Sequence, residues 1–269
     1  MKIFIDQGHN PTGSHNTGAI GNGMTEQDIV FDVGITLAGI LRRAGFEVML
    51  SRPEATTVLG RDNSSAINSR WQSANTWGAD YFISLHVNAG GGTGVETFIS
   101  ATKPNDMAFA RTVNDAYATA LGLRNRGVKL DTASAVRSLA VLRQTRMPAV
   151  LIELAFIDAP ANAPDIGILR NGRQHMARAL ADGVLEYFGI NDETETAEVD
   201  ETGIRRYQTV DEMPDWAKPT IEKLIGRGFL QGDDQGLNLS EDMIRIFVIH
   251  DRAGVYDHII NGFEDTFGR

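Results

Sequence analysis

Short apolar runs rich in β-branched and aromatic residues alternate with helical patterns along about two thirds of this chain, and that alternation restricts the fold more than any other feature. The run KIFID begins at residue 2, and Ile29, Val30, Val33, Leu37, Ile40, Leu41 and Ala44 then recur at the spacing of one helix face. Thr25 with Asp28 three residues on reads as a capping box, which places Glu26 in the first turn of that helix. Gly45 closes the helix and FEVML restarts a strand. A polar segment through Arg70 and Asn75 reads as helical, ADYFISLHV as the next strand, and GVETFIS as another beyond a glycine-rich turn. Residues from about 105 to 121 read as helix, LAVLR and AVLIELAFI as short strands, and GRQHMARALADGVLEYF as a closing amphipathic helix. This order predicts an α/β domain over 1–190, a mostly parallel sheet with helices on both faces.

The segment NDETETAEVDETG that follows is acidic and without periodicity, and 191–204 reads as a linker. Residues 205–269 show two helical patterns around a Gly/Asp-rich turn, which suggests a small helical module. With a net charge of −10, nucleic acid is not expected as a partner, because phosphate binding needs a basic face. No apolar run reaches the roughly 20 residues of a membrane span. There are no cysteines, so any metal must be held by imidazole and carboxylate. Met1 and Lys2 lead straight into strand-like residues, and no cleaved secretory signal is expected.

Two of the strand runs end in a histidine beside an asparagine. In an open parallel sheet, ligands gather beyond the carboxyl ends of the strands. His9 lies just past KIFID, His86 ends YFISLHV, and Glu153 sits late in AVLIELAFI, which belongs near the middle of the sheet. Glu26, at a helix N-terminus, faces the same edge. Two imidazoles and a carboxylate form a common catalytic zinc set with one position open for water. A second carboxylate outside that set can carry the proton from water to a leaving amine. His9, Glu26 and His86 suit the first role and Glu153 the second. A carboxylate within VLIELAF is costly to bury unpaired, which argues for a task there. His15 is a rival ligand, placed here on the substrate side or in solvent. His175, His250 and His258 lie on helix-like segments and are assigned structural roles.

The stretches IDQGHNP, GNGMTEQDIVFDVGITLAGILRRAGFEVMLSR, RWQSANTWGADYFISLHVNA, GVETFIS, NRGVK and LAVLRQTRMPAVLIELAFI, in this order over about residues 1–188, resemble the zinc-dependent N-acetylmuramoyl-L-alanine amidases of the amidase 3 type. The resemblance implies a twisted sheet flanked by helices, one zinc ion on His9, Glu26 and His86, and Glu153 as the catalytic glutamate. It also implies peptidoglycan as the partner and the amide between N-acetylmuramic acid and L-alanine as the bond cut. The family usually has glycine where Ala155 stands and asparagine where Asp158 stands; both changes leave the four central groups intact. The tail resembles a single S-layer homology repeat, altered where LSEDMIR stands, and points to wall binding or to a homodimer. Together these features resemble a phage-type endolysin that acts at the cell wall after release through a holin. Two other readings are a zinc carboxypeptidase, with Arg126 or Arg143 holding a terminal carboxylate, and a non-catalytic wall-binding protein on an amidase scaffold.

Overall fold

A computed structural model of the protein describes residues 1–102, 107–190, 206–214, 216–234 and 236–256. The chain divides into two compact units, Met1–Asn191 and Asp192–Arg269. The first unit contains, in order, β1 (Lys2–Gln7), β2 (Ile20–Gly21), β3 (Met24–Thr25), α1 (Glu26–Arg43), β4 (Glu47–Leu50), α2 (Asn63–Trp77), β5 (Tyr81–Asn88), β6 (Val95–Ile99), α3 (Met107–Ala120), β7 (Asn125–Leu130), α4 (Ala140–Arg143), β8 (Ala149–Phe156), α5 (Pro164–Asn171) and α6 (Arg173–Phe188).

Six strands form one sheet in the order β4-β1-β5-β8-β6-β7. Strands β4, β1, β5 and β8 are mutually parallel; β6 runs antiparallel to β8, and β7 parallel to β6. The sheet is therefore mostly parallel, flanked by helices, and β8 is interior, as the apolar run AVLIELAFI requires.

Side chains alternate between the two faces of a strand, so each face has its own core. Ile3, Ile5, Ile83, Leu85, Val150 and Ile152 pack into the larger core with Ile29, Val33, Leu37 and Leu41 of α1, Val113 and Tyr117 of α3, and Leu180 and Val184 of α6. Phe4, Phe82, Phe98, Ala149 and Leu151 face the other way, under Ala74 of α2 and Val141 and Leu142 of α4. This second core is short. Continuing along its face by the same two-residue step, Phe4 is followed by Asp6, Phe82 by Ser84 and His86, and Leu151 by Glu153. On the reversed β6, Glu96 precedes Phe98 by the same step. Where the apolar cover stops, a row of polar groups begins.

Three readings of the sequence need correction. LAVLR is not a strand: Ala140–Arg143 forms the helical turn α4, with Val141 and Leu142 turned into the second core. Four apolar residues are too few for periodicity to separate helix from strand. The capping box at Thr25 is absent: the Thr25 hydroxyl donates to the Asp28 carboxylate, and no side chain caps the backbone there. Edge strand β7 is missing from the sequence reading, because NRGVKL is at most half-buried and has only Val128 and Leu130 as apolar residues, too few to mark a strand.

In the second unit, β9 (Arg206–Tyr207) pairs antiparallel with β10 (Leu239–Ser240), and α7 (Lys218–Gly226) and α8 (Glu241–Arg252) are the two expected helices. Tyr207, Met213, Ile221, Leu239, Ile244 and Val248 form its core. The acidic segment 191–204 and His258 lie outside the described residues. No described helix is long and apolar enough to cross a membrane.

Candidate metal centre

Strand β1 ends at Gln7, and its neighbour Gly8 donates its N–H to the Leu85 carbonyl at 3.0 Å. The chain then turns through His9 at φ 66°, a left-handed conformation that costs a non-glycine residue about 1 kcal/mol or more. A buried guanidinium holds this turn. Arg70 of α2 donates to the His9 carbonyl at 2.5 Å, to the Gln7 carbonyl at 2.6 Å and to Asp6 at 2.5 Å. Ser84 adds a hydrogen bond to the other Asp6 oxygen at 2.8 Å. Burial opposes charge on Asp6, but Arg70 and its other partners outweigh burial and hold that carboxyl below its usual range. Removing Arg70 would leave the buried Asp6 carboxylate without its cation, with Ser84 as its remaining side-chain donor, and would release the clamp on the His9 turn.

Glu26 opens α1 with two anchors. Its Oε2 accepts the Ala19 N–H at 2.8 Å and its Oε1 the Val87 N–H at 2.9 Å. That Oε1 lies 3.0 Å from His9 Nε2 and 3.1 Å from His86 Nδ1, and the two ring nitrogens are 3.1 Å apart. His9 Nδ1 lies 3.2 Å from Asn16 Oδ1. As the donor in that bond, Nδ1 leaves the Nε2 lone pair facing the centre. The two rings meet nearly edge-on, at 78°.

Three donors so close fit a metal ion. Ligand atoms about 2.0–2.1 Å from a tetrahedral ion lie about 3.3 Å from one another, close to the spacing found here. Among the described residues, His9, Glu26 and His86 are the group whose ligand atoms converge in this way, all within 4.8 Å. Burial opposes charge on Glu26, yet its hydrogen-bond and electrostatic contacts with His86 and His9 keep its carboxyl far below the usual range. Two glycines make room for the set. A Cβ on Gly8 would stand 2.7 Å from His86 Cε1, and one on Gly18 2.7 Å from Glu26 Oε2 and 2.8 Å from the His9 ring.

Glu153 is His86's register partner across β5 and β8, and Glu96's across β8 and β6. The three side chains form a row at the polar end of one face. Glu153 Oε2 is enclosed and has no hydrogen-bond partner among the described residues. Burial, and then the charges of Glu26 and Glu96, push this carboxyl well above its usual range. It therefore takes up a proton far more readily than an exposed glutamate does.

Glu96 is stabilised as an anion. It accepts from Arg126 Nε at 2.7 Å, Lys129 Nζ at 2.5 Å and Asn88 Nδ2 at 2.7 Å. Burial raises its pKa, and Lys129 and Arg126 more than offset that. Sequence reasoning named Arg126 only as a holder of a terminal carboxylate and passed over Glu96, Lys129 and Arg70. A signal for Arg70 existed: Ala66, Arg70 and Ala74 are the buried residues of α2 and repeat every fourth position, so the arginine stands in line with an inward stripe.

His15 is not in the set. Its Nε2 lies 3.1 Å from the Leu59 carbonyl, tying two loops together. His175 and His250 are exposed on α6 and α8. Arg143 grips Asp131 at 2.5 and 3.2 Å and is not free to hold a terminal carboxylate. Ala155 is fully buried, and Asp158 accepts the Gly90 and Gly91 N–H groups at 2.7 and 2.9 Å through one oxygen, a role an asparagine oxygen could equally fill.

A mostly parallel sheet that carries a candidate metal-binding donor set and a buried carboxyl on one edge is a framework suited to hydrolytic chemistry. The chain belongs to the N-acetylmuramoyl-L-alanine amidase family of the amidase 3 type, whose model matches residues 3–186, and its fold and relatives make it a peptidoglycan amidase. It is 34% identical over 194 residues to the sporulation-specific N-acetylmuramoyl-L-alanine amidase of Bacillus subtilis, covering 71% of this chain and 69% of that one. It is 32% identical over 200 residues to the endolysin of Bacillus phage SPP1, covering 70% and 66%. The catalytic domain of CwlV, an N-acetylmuramoyl-L-alanine amidase from Bacillus (Paenibacillus) polymyxa var. colistinus, superimposes with a TM-score of 0.58 at 27% identity, over 71% of this chain and 99% of that one.

Proposed function

We propose that the protein cuts the amide between N-acetylmuramic acid and L-alanine with one zinc ion held by His9 Nε2, Glu26 Oε1 and His86 Nδ1, and with Glu153 as general acid and base. The observation that carries this reading is the meeting of three donor atoms beside a carboxyl whose Oε2 has no partner among the described residues. Zinc bound there supplies a Lewis acid that polarises an amide carbonyl and makes water acidic near neutral pH. Glu153 takes the proton of the attacking water as the new C–O bond forms, and passes it to the alanine nitrogen as the C–N bond breaks. Its raised proton affinity suits a group that must accept a proton and then release it. The backbone anchors on Glu26 and the Arg70 clamp on the His9 turn fix the donors in advance, so little is spent on ordering them.

Digestion of purified peptidoglycan tests the bond assignment. New N-terminal alanine without new reducing ends is expected; new reducing ends would mean glycosidase, and free terminal amino acids would mean carboxypeptidase.

The likeness to a phage endolysin supports a role in lysis, as endolysin or autolysin, at the bacterial wall. The second unit would then attach the enzyme to the wall, in keeping with the tail's resemblance to an S-layer homology repeat; nothing in the relatives supports a homodimer. A chain ending near Asn191 should fold and keep its rate on small muramoyl-peptides, since the whole site precedes that point, while losing activity on intact walls. Loss on small substrates as well would show that the site depends on the second unit.

A further inference from the structure

A cavity of about 270 Å³ opens beside Glu153, on the side away from the histidines. Asn88, Gly90, Arg126, Ser134 and Phe156 are among its walls. Its electrostatics are unusual for an active site crowded with carboxylates. Glu96, also in the wall, is one anion facing two cations, Arg126 and Lys129, so the cluster carries a surplus positive charge. Arg126 is fixed at two points: its Nε is committed to Glu96 at 2.7 Å, and its guanidinium stands over the Phe156 ring at 4.9 Å. Among the described residues its two terminal nitrogens have no acceptor, and the side chain remains a quarter exposed in the cavity wall.

The backbone accounts for this placement. The pairing of β6 with β7 slips between Val95 and Thr97, where Gly127 takes φ 76°. Such an irregularity re-aims neighbouring side chains. A planar fork held by its Nε and stacked on an aromatic ring presents its outer N–H groups to a carboxylate in the geometry that guanidinium pairs favour.

We infer that this cavity receives the peptide side of the substrate, and that Arg126 pairs there with a free α-carboxylate on the residue that follows the alanine. The inference rests on the reading of Glu153 as the acid–base group beside the scissile amide. The reach is right. Neighbouring strands are about 4.8 Å apart, so the backbones of β8 and β7, which carry Glu153 and Arg126, stand about 10 Å apart, and both side chains line the cavity. Two extended residues span about 7 Å. A peptide leaving the amide nitrogen along this wall brings its second residue to the guanidinium.

The test uses two synthetic muramoyl-tripeptides that are identical except that the second residue, a γ-linked glutamate, carries its α-carboxyl free or as the carboxamide. The full-length enzyme is expected to show a kcat/KM about 10- to 100-fold higher for the free acid, the scale of a charge-assisted pair. Arg126→Gln is expected to bring that ratio close to one, mainly through KM of the acid. Arg126→Lys, which keeps the charge without the fork, should retain part of the preference. Lys129 and Asn88 still hold Glu96 in both variants, so both should fold. The inference is overturned if the full-length enzyme does not distinguish the two substrates, or if Arg126→Gln keeps the ratio while slowing both alike, as a purely structural arginine would. Glu153→Gln on the same pair reports on the acid–base reading separately: it should slow both substrates and leave their ratio in place.

Discussion

Removal of zinc is expected to abolish hydrolysis, and His9→Ala and His86→Ala should each reproduce that loss by emptying the site. In the proposed site each histidine supplies one of the three donors that converge among the described residues, and each comes from a different strand end. Disturbing a group one step away from a metal typically weakens binding about 10- to 100-fold, and loss of a ligand itself should cost more than that. The fold should survive, because Glu26 keeps its two backbone donors and the Arg70 clamp binds the His9 carbonyl rather than its ring. Elemental analysis and an activity assay on one preparation check this, with about one zinc per chain in active protein and little in either variant. His15→Ala should keep its zinc, since His15 Nε2 is turned to the Leu59 carbonyl. Full activity in metal-free protein would sink the proposal.

The donor set could be seen in the sequence for a physical reason. In parallel strands the carboxyl ends share one edge, so a histidine just past KIFID and another at the end of YFISLHV lie on the same edge, and the direct pairing of β1 with β5 then brings them together. Glu153 was visible because an apolar strand tolerates a carboxylate poorly. Glu96 carried no such mark. It sits at the start of GVETFIS, and only the reversal of β6 brings a strand's beginning to the edge where the others end. Strand direction depends on tertiary pairing, which periodicity does not encode. Arg126 was named in the sequence only as a holder of a terminal carboxylate, and its strand went unread for a related reason: β7 is a half-buried edge strand with a register slip, and neither feature leaves a strong apolar pattern. The helix α4 shows the opposite failure, since four apolar residues satisfied a strand pattern while their packing demanded a helical turn.

Glu153→Gln should leave a folded protein with near-full zinc and about 10²- to 10⁴-fold slower turnover, the usual cost of removing a positioned proton-transfer group. The structure gives reasons for each part of that outcome. The side chain is not one of the three converging donors, so metal content should not follow it. Its Oε2 has no hydrogen-bond partner among the described residues, so an amide in its place breaks no bond seen on that side and removes a group that is costly to ionise there. Stability should therefore hold or rise, because the variant is spared the repulsion from Glu26 and Glu96 that pushes the native carboxyl upward. The sign follows from linkage: a carboxyl whose folded pKa is raised contributes more stability when protonated, and that contribution is lost as pH rises through the unfolded and then the folded pKa. In the Gln variant that loss on the alkaline side should be smaller than in the native protein, a difference that thermal melts at several pH values can measure. A merely structural carboxylate would tolerate the amide and keep its turnover; a zinc ligand would lose metal and turnover together. Catalysis alone should be lost here, because the same enclosure that raises the proton affinity of Glu153 lets it take a proton from water and return it to the leaving nitrogen, and an amide can do neither.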